Sequence, residues 1–321
     1  MKTTIKYRLL KLAAAMFSLL LISCLKEDMS DCPEEIRVYF VFTTRVSGDQ
    51  INPADVDRMH LYVFDDKGYY LSEYYDNHIT NFNADYYIDC SDLLPGNYRF
   101  IAWGGKNELY YSTVPVSFVK GKTSFEEALL MLEYSGGIVS SLLPHLFHSE
   151  LPATVTTASV QRFDMPLAQV SNTINIRTEG LPADANAYTF NIADNNCIYK
   201  FDRSFALPSN AMFTYTAPCT KDEKSQLNAS LNVLRLAAGR HIPQLQLYNE
   251  TTGTLLYPVG TQSGDLIGLI LSAYPQNNFD TTHIYDIVFT FEANPDELTG
   301  FSVSITINHW KVNDQGNELI E

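Results

Sequence analysis

DRMHLYVFDDKGYYL, residues 57–71, carries the alternation that decides the fold. Met59, Leu61 and Val63 fall on one side of an extended chain, and His60, Tyr62 and Phe64 on the other, because successive side chains of a strand point to opposite faces. DDKG supplies turn residues, and Tyr69, Tyr70 and Leu71 begin the return, so the stretch predicts a β-hairpin. The neighbours repeat the pattern. EIRVYFVFTTR (35–45) places Ile36, Val38, Phe40 and Phe42 on one face, and ADYYIDC (84–90) and LPGNYRFIAW (94–103) continue it around a Pro95-Gly96 turn.

The second half reads the same way through VQRFDMPL (160–167), QVSNTINIRT (169–178), AYTFNI (187–192), CIYKFD (197–202), MFTYTAP (212–218), SLNVLRLAAG (230–239), QLQLYN (244–249), TLLYPV (254–259) and HIYDIVFTFEA (283–293). It closes with FSVSITINHW (301–310), where Phe301, Val303, Ile305 and Ile307 oppose Ser302, Ser304, Thr306 and Asn308. Two stretches break the period. SFEEALLMLE (124–133) offers Ser124 as N-cap with Glu127 three residues on, which predicts a short helix. GDLIGLILSAY (264–274) predicts a second one. An irregular run from 135 to 158, with Gly136, Gly137, Pro144 and Pro152, sets the expected boundary near residue 151. The expected architecture is all-β: an N-terminal β-sandwich over 33–150 and a C-terminal one over 151–321.

The beginning of the chain is different. Lys2, Lys6, Arg8 and Lys11 precede an apolar run, Leu12–Ile22, too short for the roughly 20 residues that span a bilayer. Residues 1–23 read as an export signal, and Leu21, Ile22, Ser23 and Cys24 resemble a bacterial lipobox, which makes Cys24 the lipidated mature N-terminus. Residues 24–32 are a polar tether, and their acids resemble the signal that sends lipoproteins to the outer face of the outer membrane. Removing residues 1–23 takes four of the 22 basic residues and none of the 37 acidic ones, leaving a net charge of −19. Nucleic acid is excluded as a partner. An anionic bilayer repels such a chain, so attachment rests on the lipid. Once Cys24 carries lipid, Cys32, Cys90, Cys197 and Cys219 remain. Three pairings are possible; the two halves suggest Cys32 with Cys90 and Cys197 with Cys219, the alternative being buried free thiols.

Signatures of nucleophilic, phosphate-binding and zinc chemistry (GxSxG, Walker A, HExxH, CxxC) do not occur, so no catalytic residue, metal or cofactor is expected. His145 and His148 in HLFH read as a loop pair, and Asp65 and Asp66 as turn formers rather than a cation loop. Trp103 and Trp310 end their strands and read as core-edge residues. Tyr69, Tyr70, Tyr74, Tyr75, Tyr86 and Tyr87 are dense, and adjacent tyrosines on a strand put one ring on each face. Tyr74, Tyr75, Tyr86 and Tyr87 are therefore candidates for docking a glycan or host ligand, against the plainer reading that they fill a core and shield its outer sheet.

Several stretches together resemble the FimB-type fimbrial anchor family, lipoproteins at the base of type V fimbriae. They are Cys24 followed by Asp31, Cys32 and Pro33; LYVFDDKGYY (61–70); CSDLLPGNYRFIAWGG (90–105); MPLAQVSNTINIRTEGLP (165–182); and ITINHWKV (305–312). The resemblance implies two tandem transthyretin-like, Greek-key sandwiches, no catalysis, and protein–protein contacts with fimbrial pilin subunits that hold a fimbrium to the outer membrane and limit its length. It also implies joining by strand donation. The tail KVNDQGNELIE reads either as a donated segment or as a frayed terminus. A fimbrial tip or glycan-binding adhesin is the alternative.

Overall fold

The computed structural model describes residues 35–42, 56–139, 143–158, 160–181, 188–206, 212–222, 226–293 and 301–312. Cys24, Cys32 and the tail beyond Val312 lie outside them. The first half runs β1 (Glu35–Phe42), β2 (Met59–Asp65), β3 (Tyr70–Asp76), β4 (Tyr87–Asp89) and β5 (Gly96–Gly104). Three short strands follow, β6 (Tyr111–Val114), β7 (Leu129–Leu132) and β8 (Ile138–Val139), and then β9 (Phe147–Val155) and β10 (Val160–Gln169). The rest is β11 (Ser171–Glu179), β12 (Tyr188–Asp194), β13 (Ile198–Lys200), β14 (Phe213–Pro218), β15 (Thr220–Lys221), β16 (Leu227–Leu234), β17 (Gln244–Asn249), β18 (Thr254–Tyr257), helix α1 (Leu266–Ala273), β19 (Ile284–Ala293), β20 (Phe301–Ile307) and β21 (Trp310–Lys311).

Seven strands form one hydrogen-bonded order, β3-β2-β5-β9-β10-β1-β4. β10 is its corner: Val160–Leu167 run parallel to β1, then Ala168 and Gln169 pair with His148 and Phe147 of β9. Ile36, Val38 and Phe40 of β1 thereby meet Met59, Leu61, Val63, Phe100 and Ala102 in one core, and the sheet closes on itself as a sandwich. The second sandwich packs a six-stranded sheet, β15-β16-β11-β19-β20-β21, on a five-stranded one, β18-β17-β12-β14-β8. α1 is the expected second helix, capped by Asp265, whose carboxylate accepts from the Gly268 amide at 3.0 Å.

β2 has apolar residues on both faces because it separates two cores. Met59, Leu61 and Val63 belong to the first. Tyr62 and Phe64, with Ile101 and Trp103 of β5, belong to a larger core continuous with that of the second sandwich. A three-stranded sheet, β13-β7-β6, sits at this junction, joining β13 of the second half to β7 of the first. Trp103, read as a core-edge residue, is instead fully buried there, 6.0 Å from the Phe201 ring.

Two expectations are corrected. The capping-box bonds do form: Ser124 donates to Glu127 through its amide (3.1 Å) and its hydroxyl (2.9 Å). They cap only a turn, and Leu129–Leu132 becomes strand β7. LLML also satisfies a two-residue period, and pairing with β6 and β13 overrides the local helical preference. The boundary near 151 falls inside β9, and the chain passes between the sandwiches at Gln169–Ser171. Pro152 misled there, since its ring is accommodated on a strand that still pairs with β5 from Gly96 to Gly104.

Candidate functional site

The four candidate tyrosines do not form one platform. Tyr74 and Tyr86 turn toward the first core and clasp the two terminal strands of the sheet order. The Tyr74 hydroxyl donates to Asp92 Oδ1 at 2.5 Å, and that of Tyr86 to Asp76 Oδ2 at 3.4 Å. Burial, reinforced by these carboxylates, pushes both phenols well above their ordinary pKa. Tyr75 and Tyr87 point outward, 64% and 39% exposed, on opposite terminal strands. Tyr75 stacks on His60 at 5.9 Å, whereas Tyr87 lies 5.3 Å from Tyr39 with the Arg37 guanidinium 4.7 Å from its centroid.

Beneath Tyr75, His60 Nδ1 lies 2.7 Å from Glu73 Oε1. Its Nε2 is 3.2 Å from Glu108 without hydrogen-bond alignment. Burial pushes the Glu73 carboxyl up, but hydrogen bonds from His60 and Tyr62 outweigh it and hold the group below its usual range. Burial lowers the neighbouring Lys106. The arrangement ties the loop after β5 to β2 and β3, which is a structural role.

The other motif residues are placed individually. Asp65 Oδ1 accepts from the amides of Lys67 (3.0 Å) and Tyr69 (2.8 Å), so it does form the turn. His145 and His148 part company: His148 is buried on β9 against Trp103, while His145 faces Gln169 and Ser171. Among the described residues Cys90, Cys197 and Cys219 form no disulfide, and Cys32, the expected partner of Cys90, lies outside them. The expected Cys197–Cys219 bridge fails on distance. Cys219 donates its amide to Tyr188 at the start of β12, and Cys197 follows the end of that seven-residue strand, roughly 20 Å away at about 3.3 Å per residue. Burial pushes the Cys219 thiol up to about 12. Among the described residues no group of three or more His, Cys, Asp or Glu gathers as a metal site.

A groove of about 720 Å³ lies on the second sandwich. It opens where, among the described residues, one edge of each sheet is only partly paired. β14 pairs with β8 only at Thr214 and Tyr215, and β16 pairs with β15 only at Leu227 and Asn228. Among the described residues no strand covers Thr216–Pro218 or Ala229–Ser230 on those edges. The groove has an apolar side of Val139, Ile176, Tyr215, Ala217 and Leu231. Its polar side is a ladder across β16, β11 and β19: Ser230 Oγ donates to Asn175 Oδ1, and Asn175 Nδ2 donates to Asp286 Oδ1, each at 2.9 Å. His309 closes one end in a left-handed turn, φ 71°. Unpaired backbone edges beside alternating apolar and polar side chains suit an extended peptide. No single segment announces this site, because its walls come from strands far apart in the chain.

The packed sheets define an all-β, two-sandwich protein. Residues 29–316 match the family of fimbrillin-A associated anchor proteins Mfa1 and Mfa2, and the chain belongs to that family. It is 25% identical over 318 residues to the minor fimbrium anchoring subunit Mfa2 of Porphyromonas gingivalis, covering 93% of this chain and 92% of that protein. Its fold is similar to the solved structure of the fimbrial anchor protein Mfa2 from Porphyromonas gingivalis, at TM-score 0.67 and 23% identity over 88% of this chain and 99% of that one. It is equally similar to a candidate polysaccharide-binding protein of Bacteroides thetaiotaomicron, at TM-score 0.68 and 19% identity over 87% and 97%. The family consists of structural and anchoring components of cell-surface fimbriae, not of enzymes.

Proposed function

We propose that this chain is a lipoprotein that holds a fimbrium to the outer membrane and limits its length, with Cys24 as the membrane end and the groove of the second sandwich as the fimbrial end. The observation that carries the reading is the pair of strand edges left unpaired among the described residues at that groove, on the sandwich farther along the chain from Cys24. An extended segment of a pilin subunit adds to one edge through its backbone and seats alternate side chains on the apolar wall. Acyl chains on Cys24 supply roughly 0.8 kcal/mol per buried methylene, and more than one chain makes the attachment stable.

The test has two arms. Ser230→Trp fills the groove from an exposed position and should weaken capture of purified pilin subunits by at least about tenfold, or ~1.4 kcal/mol; undiminished capture rejects the groove. Cells lacking the protein should carry long fimbriae and shed them, so normal, firmly held fimbriae reject the anchoring role. A second reading, a tip or glycan-binding adhesin, draws on the exposed rings of Tyr75 and Tyr87. Glycan-array binding that disappears in Tyr75→Ala or Tyr87→Ala, with no pilin captured, would favour it.

A further inference from the structure

β1 is the first described strand after the tether, and it runs parallel to β10 over its whole length, from Glu35 opposite Val160 to Phe42 opposite Leu167. β10 is also the strand that hands the chain to the second sandwich, two residues beyond Leu167. In a parallel pair the start of one strand and the end of the other lie at opposite ends of the ladder. Tension applied at Glu35 and drawn off beyond Gln169 therefore runs along the strands and loads every inter-strand bond together.

We propose that the β1–β10 pair is a mechanical clamp, giving this protein a force-bearing function: it transmits tension between an anchored N-terminus and a filament held on the second sandwich. The direction of load rests on the anchoring reading above. The side chains fit the role on both faces. Ile36, Val38 and Phe40 are pinned in the core, with exposures of 0%, 0% and 2%. On the outer face the Arg162 guanidinium of β10 sits 3.8 Å from the Tyr39 centroid, and Tyr39 lies 5.3 Å from Tyr87 of β4, so β1 is stapled to both neighbours. β4 adds antiparallel bonds at Arg37–Tyr39. The second sandwich repeats the device, since its entering strand β11 runs parallel to β19 from Thr173 opposite Ile284 to Glu179 opposite Thr290. Pairing of β7 with β13 and of β8 with β14 spreads the load across the junction.

Single-molecule pulling tests this on the protein with one handle at position 24 in place of lipid and the second at the C-terminus. A second geometry moves the latter handle to Ala158, an exposed residue just before β10, so that both points of force lie at the same end of the ladder and peel it open pair by pair. Rupture of the first sandwich should need several-fold more force in the first geometry, because forced unfolding reads the barrier and not the equilibrium stability. Tyr39→Ala, on the outer face, should lower that force toward the peeling value while the protein stays folded. Equal forces in the two geometries, or no effect of Tyr39→Ala on the larger one, overturn the clamp. Fimbriae that stay firmly attached to cells lacking the protein would sink the anchoring reading and leave the force comparison untouched.

Discussion

Acidification interrogates the junction between the sandwiches through one side chain, His148. Its ring lies 4.7 Å from Trp103 in an edge-on contact, and its Nε2 meets the Phe201 carbonyl at 2.8 Å. A carbonyl only accepts, so Nε2 carries the proton. Burial disfavours the imidazolium and pushes the pKa down to about 4, with the Phe201 bond opposing too weakly to reverse it. In the unfolded chain the ring titrates near about 6.5. Above that value both states are neutral, and the full contribution to stability is present. As pH falls the unfolded state takes up the proton first, and stability drains away until the folded ring titrates near 4. At about 1.36 kcal/mol per pH unit, the gap comes to about 3 kcal/mol, of which roughly 2 is gone by pH 5. Urea unfolding at pH 7, 5 and 4 of the wild type and of His148→Gln reads this directly, because the amide donates to Phe201 without titrating and the carboxylates cancel in the difference. The wild type should lose about 3 kcal/mol more than the variant. Parallel losses in the two proteins would refute the reasoning.

Trp103→Ala should cost about 3–5 kcal/mol. Because its ring lies in the core shared by the two halves, wild type and variant should each unfold in a single calorimetric transition; two separated transitions would show that the shared core does not couple them. Tyr74→Phe, which removes the bond to Asp92, should destabilise by about 1 kcal/mol, whereas Tyr75→Ala should stay within about 0.5 kcal/mol in the same denaturation assay. Gly105 sits at φ +74°, and a Cβ there would lie 2.0 Å from the His145 carbonyl oxygen. Gly105→Ala should therefore lose at least about 2 kcal/mol, and near-normal stability would mean that this approach relaxes freely.

Strand identity was legible wherever one face met water, as along Ile36, Val38 and Phe40, because burial then imprints a two-residue period. It was misread at Leu129–Leu132, where four residues fit either period and the decision lay with β13, far along the chain. The boundary was displaced for a related reason. Gly136, Gly137 and Pro144 fall outside regular strands and Pro152 lies within β9, whereas the crossing between sandwiches at Val170 is a single buried residue with no loop to betray it. Among the candidate site residues, alternation correctly separates Tyr74 from Tyr75 and Tyr86 from Tyr87. Which of them clasp acids depended on Asp92 and Asp76 arriving from other elements. The groove was illegible because its walls come from β11, β14, β16 and β19, which are far apart in the chain.

Chain order places β2 and β5 well ahead of part of what covers their second face. Phe118 and Phe125 cover part of Tyr62 and Phe64 within the first half, but the Phe201 ring that Tyr62, Phe64 and Trp103 all approach follows nearly a hundred residues after Trp103, so this aromatic face stays partly uncovered until then. Aliphatic side chains on the opposite side of the same strands find their partners within the first half. Biogenesis is thus staged by chain order: one interior matures early, the other late, and a holding chaperone would find its foothold on the late one.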